Sequence, residues 1–299
     1  EHAWTITDGG REAFETCPYV FVDSTIHAAV DEWIADSTAA LLDYGSITGW
    51  DVSQVTDMSE LFQHEESFND DITDWDVSNV TDMSWMFRGA TAFNQEIGLW
   101  QVGSVTAMAG MFADATAFNQ NIGGWQVGSV ANMAGMFEGA TTFNQDIGLW
   151  QVGSVTGMGG MFEGATAFNQ EIGEWDVSNV VHMQDMFLDA SAFNGDISSW
   201  EVDNLTGTMN FMFSGAESFN QNLNGWDVTG VTAMYKLFLG ATSFNQDLSG
   251  WDMDNVKDTR YMFSGAESFN QDLGDWNVSS VTKMGFMFKD ASAFNQDLG

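Results

Sequence analysis

The chain has 299 residues, of which 44% are hydrophobic and 14% aromatic, ample material for a packed core and too much for a disordered chain. Asp and Glu number 43 against 7 Lys and Arg, a formal net charge of -36 that would repel a phosphate backbone and an anionic membrane surface and so excludes nucleic acid as a partner. The single cysteine, Cys17, excludes an internal disulfide and a cysteine-built metal cluster, and no apolar run has the length of a membrane-spanning helix.

The chain opens at Glu1 with no basic segment leading into an apolar one, so a signal peptide is expected to be absent or already removed. Asp23-Ser24-Thr25-Ile26 reads as a helix start, and Ile26, Ala29, Val30, Trp33 and Ile34 fall on one face of that helix. A second short helical segment, 39–42, leads through Tyr44-Gly45 toward Trp50. End repeats of an array expose a core face, so residues 1–46 are read as an N-terminal helical cap on a repeat solenoid spanning 47–299.

Tryptophans at 50, 75, 100, 125, 150, 175, 200, 226, 251 and 276 mark ten copies of a 25-residue unit. One extra residue, between Leu205 and Met209, predicts a bulge. Alternation of Trp100 and Val102 predicts a short strand at each tryptophan, one rung per repeat in a parallel ladder. Met83, Met86, Phe87, Ala90 and Phe93 lie at i, i+3, i+4, i+7 and i+10, which predicts a short helix on the opposite side. Two phenylalanines recur in every copy, and an asparagine follows the second, from Asn69 to Asn295. Its side chain can serve backbone groups left open in a buried turn, so an asparagine ladder is expected.

The phrase Trp75-Asp-Val-Ser-Asn-Val-Thr-Asp-Met-Ser-x-Met-Phe-x-Gly-Ala-x-x-Phe-Asn-Gln, repeated from Trp50 to Gly299, resembles the BspA-like surface-protein repeat, also described as the DUF285 or lipoprotein repeat. The resemblance implies an α/β solenoid of leucine-rich-repeat-like coils and an adhesive or uncharacterised cell-surface role, in bacteria and in unicellular eukaryotes such as marine algae. It implies no reaction and supplies no residue-level binding motif.

The four histidines, His2, His27, His64 and His182, are not spaced to meet, and no phosphate loop, nucleophile elbow or Cys and His pair occurs, so the chain is read as non-enzymatic. The residue after each tryptophan should point outward, forming a ligand-facing row of Asp51, Asp76, Gln101, Gln126, Gln151, Asp176, Glu201, Asp227 and Asp252. On adjacent rungs its acids would repel unless screened, protonated or bridged. Asp176, Glu201, Asp227 and Asp252 are either simply hydrated or could hold a weak calcium ion, and no other cofactor is expected. A second column changes along the array, and its late members Phe211, Tyr261 and Phe286 either form a protein-contact patch or pack beneath the next turn.

These readings converge on an extracellular or cell-surface adhesion scaffold in a saline or marine setting, binding a protein or glycan through its acidic, amide-rich face. The alternative is a self-assembling, calcium-linked matrix protein joined end to end, since no second cap closes the array.

Overall fold

The structure, a computed structural model, describes residues 19–297. Residues 1–18 of the expected cap, with His2 and Cys17, lie outside the described residues. The chain forms a repeat solenoid fronted by two helices, α1 (Asp23–Ala35) and α2 (Ser37–Tyr44). The Thr25 hydroxyl accepts from the Val22 N–H at 3.1 Å and closes the start of α1, while Asp36 accepts from Thr38 and Ala39 N–H to start α2. Ile26, Ala29 and Val30 are buried against the array, with Trp33 and Ile34 packed beside them.

The cap also closes the array's hydrogen bonds. Between rungs, Thr81 N–H donates to Thr56 O at 2.8 Å and Thr106 N–H to Thr81 O at 2.8 Å. Thr56 meets instead the Asp23 carboxylate, which accepts its N–H at 2.7 Å, its hydroxyl at 2.7 Å and the Asp57 N–H at 3.1 Å. These bonds, the Thr56 backbone bond foremost, hold the Asp23 carboxyl below its ordinary range. Asp23→Ala should cost about 1 kcal/mol at neutral pH. The stabilisation exists only while the carboxylate is ionised. It is therefore present above the ordinary carboxylate range and lost as pH falls below it, and acid titration of thermal stability should show wild type and variant converging at low pH.

Inside the solenoid, stacked aromatic columns form the core. The first phenylalanine of each copy, Phe62 through Phe288, stacks on its successor at 5.5–5.7 Å between ring centroids. The second, Phe68 through Phe294, does so at 5.9–6.1 Å. Trp125, Trp150, Trp175, Trp200 and Trp226 stack at 6.2–6.4 Å. A buried indole needs an acceptor, and each finds one a turn back: Trp150 Nε1 donates to Ile122 O at 3.1 Å and Trp175 Nε1 to Ile147 O at 3.1 Å.

Two expectations about local structure are corrected. The tryptophan segment is not a strand. Parallel bridges form seven residues later, joining Asp57, Asp82, Ala107, Asn132, Gly157 and His182, then Ala233, Asp258 and Lys283. The expected helix over 83–93 is also replaced, by consecutive turns. Met86 N–H donates to Met83 O and Ala90 N–H to Phe87 O, while the alternate groups, Trp85 and Phe87 N–H, donate to Ala109 and Met111 of the next rung.

Left-handed residues four apart make this possible. Trp85 (φ 60) and Gly89 (φ 70) have counterparts in Glu60 and His64, and in Lys236 and Gly240. Each sits third in its turn, where a type II turn requires positive φ. Tight turns bring every third or fourth residue to one side, so the apolar spacing mimics that of a helix.

The predicted bulge is present. β1 (Gly207–Thr208) pairs in parallel with β2 (Val231–Ala233) with a register shift between Gly207 and Thr208, and Gly207 takes φ 88. Trp226 accordingly reaches Ile197 O, one residue further back than its neighbours reach.

The asparagine ladder is continuous. Asn94 N–H donates to Asn69 Oδ1 at 2.9 Å, and the same bond recurs through Asn295 to Asn270. It runs along the surface and half-buried edge of the coil rather than through a buried turn.

Candidate interaction faces

The row after the tryptophans is exposed from Asp76 through Asp252, with Asp51 half-buried beside the cap. Four of its acids accept hydrogen bonds from their own rung. Asp76 Oδ1 accepts from the Ser78 N–H at 3.1 Å, Asp227 from Thr229 at 2.9 Å, Asp252 from Asp254 at 2.9 Å, and Asp176 takes both the N–H and the hydroxyl of Ser178. Hydrogen bonding to Ser78, Ser178 and Thr229 holds Asp76, Asp176 and Asp227 below the ordinary carboxylate range, so these acids stay ionised. Asx turns of this kind aim the carboxylate along its own rung, which reduces the rung-to-rung repulsion expected from sequence. Among the described residues, no group of three or more His, Cys, Asp or Glu is placed to hold a metal ion.

Two shallow clefts open on this row. One, of about 340 Å³, is lined by Asp74, Trp75, Asp76, Leu99, Trp100 and Gln101. The other, of about 220 Å³, is lined by Trp150, Gln151, Ser154, Glu174 and Asp176. Leu99 is 87% exposed and Leu149, equivalent to it, 83%. The row therefore combines amides and ionised acids with apolar contact points, a mixture suited to sugar rings or extended polypeptide.

The turn strip carries the other face. Its left-handed column runs Glu60, Trp85, Gly110, Gly135, Gly160, Asp185, Phe211, Lys236, Tyr261 and Phe286, all with φ between 57 and 64. Register holds along the column, since Gly135 N–H donates to Gly159 O and Lys236 N–H to Arg260 O. Of the expected contact residues, Phe211 and Tyr261 are half-buried and Phe286 is 62% exposed.

The structure adds neighbours that column reading missed. Phe211 meets Tyr235 edge-on at 5.2 Å, Tyr235 meets Tyr261 at 6.3 Å, and Tyr261 stacks on Phe286 at 5.1 Å. Lys236 Nζ lies 5.1 Å from Phe211 and 5.2 Å from Tyr235, and the Arg260 guanidinium 4.9 Å from Tyr235. The available signal was the distribution of cations, because Lys236, Lys257, Arg260, Lys283 and Lys289 are five of the chain's 7 basic residues.

Earlier on the same strip the charge reverses. Glu138 lies against Gly135 and Glu163 against Gly160, occupying room those glycines leave. Burial raises the Glu163 carboxyl to about 7, with Glu138, Asp185 and Asp189 adding repulsion, and burial also raises Glu138, helped by Asp114 and opposed by Arg88. A carboxyl raised in the folded state retains its proton where the unfolded chain has lost it, so this strip destabilises the fold as pH climbs from 4.5 to about 7. Glu163→Gln should raise stability at pH 8 by roughly 1 kcal/mol, after screening at this half-exposed position, and change little at acid pH; parallel denaturant titrations at the two pH values would show it.

A protein-family profile described as Mycoplasma protein of unknown function, DUF285, matches residues 34–150, 117–223 and 204–299. The chain belongs to the DUF285 family. The overlapping matches cover the solenoid and the end of α1, so the DUF285 array includes both faces. No curated protein matches the DUF285 chain at a significant level.

Proposed function

We propose that this chain is a cell-surface or extracellular binding scaffold with no catalytic role, a leucine-rich-repeat-like coil of ten turns that presents its post-tryptophan row to a glycan or protein. The exposure of that row together with its two clefts is the observation that carries the reading. The core positions of the unit repeat nearly unchanged while this outward position varies among Asp, Glu and Gln, as suits a surface built for extended ligands. The net charge of -36 suits a saline medium, where screening limits self-repulsion.

The test is an array of neutral oligosaccharides and basic peptides, run in saline with and without calcium, using wild type, Asp76→Ala/Gln101→Ala and Gln151→Ala/Asp176→Ala. Binding by wild type that drops at least tenfold in either double variant supports the reading. Binding that ignores both pairs and also the joint change of Asp176, Glu201, Asp227 and Asp252 to Asn removes this face from the account. A dependence on calcium that is lost in the joint Asn variant would point to a cation held between two neighbouring members of those four.

A further inference from the structure

We propose that the turn strip is a self-complementary interface, through which two copies of this chain pair antiparallel with the aromatic and cationic patch of each lying on the acidic strip of the other. The proposal concerns a different face from the post-tryptophan row and stands without it.

The scaffold residues of the strip are nearly invariant from copy to copy, whereas its outward positions divide into two blocks. The first block is acidic, with Glu163 only partly ionised at neutral pH: Glu138 faces Asp114, Glu163 faces Glu138, Asp185 and Asp189, both glutamates lie against the coil's glycines, and Arg88 caps the start over Trp85 at 4.8 Å. The second links Phe211, Tyr235, Tyr261 and Phe286 ring to ring with Lys236 and Arg260 over them, and adds Lys283, paired with Asp258, and Lys289, paired with Asp290. On a chain of net charge -36, this is the one face among the described residues where cations gather.

Tyr, Phe and Arg are the side chains that anchor protein interfaces, and Lys236 held between rings is already partly desolvated. Asp185 shares a hydrogen-bonded column with Phe211, Lys236, Tyr261 and Phe286, and Glu138 and Glu163 share one with Lys289, so these members of the two blocks face the same way. A twofold axis perpendicular to the coil, placed between the blocks, lays each on its opposite in the second copy. The complement to the patch is thus carried by the chain itself, which favours a second copy over a foreign anion. Repulsion between the two acidic bodies is screened beyond about 8 Å at physiological salt, while charges in contact are not.

Sedimentation velocity of the full chain over a concentration series in physiological saline tests this with two charge-reversed variants. In Lys236→Glu/Lys289→Glu the patch becomes anionic, and in Glu138→Lys/Glu163→Lys the strip becomes cationic. Both should fold, because other copies carry the same charges in the same columns: Glu60 aligns with Lys236, and Arg88 and Lys289 with Glu138 and Glu163. Near-ultraviolet circular dichroism of the tryptophan stacks checks this.

The expected result is a wild-type dimer, a dissociation constant raised at least tenfold in each variant alone, and recovery of the dimer when the two variants are mixed, since both contacts are then attractive again. A wild type that stays monomeric throughout the series overturns the proposal, as do variants that dimerise like wild type or a mixture that fails to recover. Capture of a carboxylated or sulfated polysaccharide by monomeric wild type, lost in Lys236→Glu/Lys289→Glu, would also overturn it by giving the patch to a glycan.

Discussion

Replacing Trp150 with alanine is expected to remove about 3–5 kcal/mol of stability, the range for truncating a large buried aromatic. Trp150 is 2% exposed, its ring is stacked between Trp125 and Trp175 at 6.4 Å on both sides, and its Nε1 is the hydrogen-bond partner of Ile122 O. Alanine therefore leaves a cavity between two neighbouring rungs and removes one of the two hydrogen bonds to Ile122 O, which keeps the Trp125 N–H. Trp150→Phe separates the two contributions. It restores most of the ring but no donor, so its loss should be smaller, mainly the cost of the one hydrogen bond from Nε1. Because each rung of a solenoid contacts only its neighbours, the alanine variant should also broaden the denaturant transition as the halves uncouple. Equal losses in the two variants would show that the ring column contributes little.

Asn119→Ala should cost about 1 kcal/mol, more than an ordinary surface change. Asn119 Oδ1 accepts both the Asn144 N–H at 3.0 Å and the Gln145 Nε2 at 3.0 Å; alanine strands the Asn144 N–H, while Gln145 Nε2 keeps its bond to the Asn119 carbonyl at 2.9 Å. The bonds use the acceptor oxygen alone, and Asn119→Asp should therefore retain more stability than alanine at neutral pH. That advantage should fade in acid, when protonation turns one carboxylate oxygen into a donor. Chemical denaturation of the three proteins at two pH values measures it, and an aspartate variant no better than alanine at neutral pH would count against the acceptor role.

Much of this architecture is legible in the order of residues. The tryptophan spacing, the paired phenylalanines and the asparagines each recur once per unit, and a side chain that recurs with the period of a coil must stack on itself. The outward direction of Asp76, Gln101 and Gln151 followed from the same register, as did the bulge at the single extra residue near Gly207. The secondary structure inside the unit was not legible. Met83, Met86, Phe87 and Ala90 satisfy a helical spacing, yet their backbone groups alternate between their own turn and the next rung. A periodicity of apolar side chains reports which side of the chain is buried and says nothing about where its N–H groups go.

The faces divide similarly. Repetition within one chain was enough to establish a continuous coil with rows of side chains, because stacking identical units is the only way such units bury their apolar sides. Which side chains meet across those rows depended on three-dimensional packing. Lys236 lies between Phe211, Tyr235 and Tyr261, and Glu163 gathers its charge from Glu138, Asp185 and Asp189, because left-handed turns lift these positions out of the coil and the room left by Gly135 and Gly160 lets Glu138 and Glu163 fold inward. Electrostatics acts through space over distances that sequence spacing does not record.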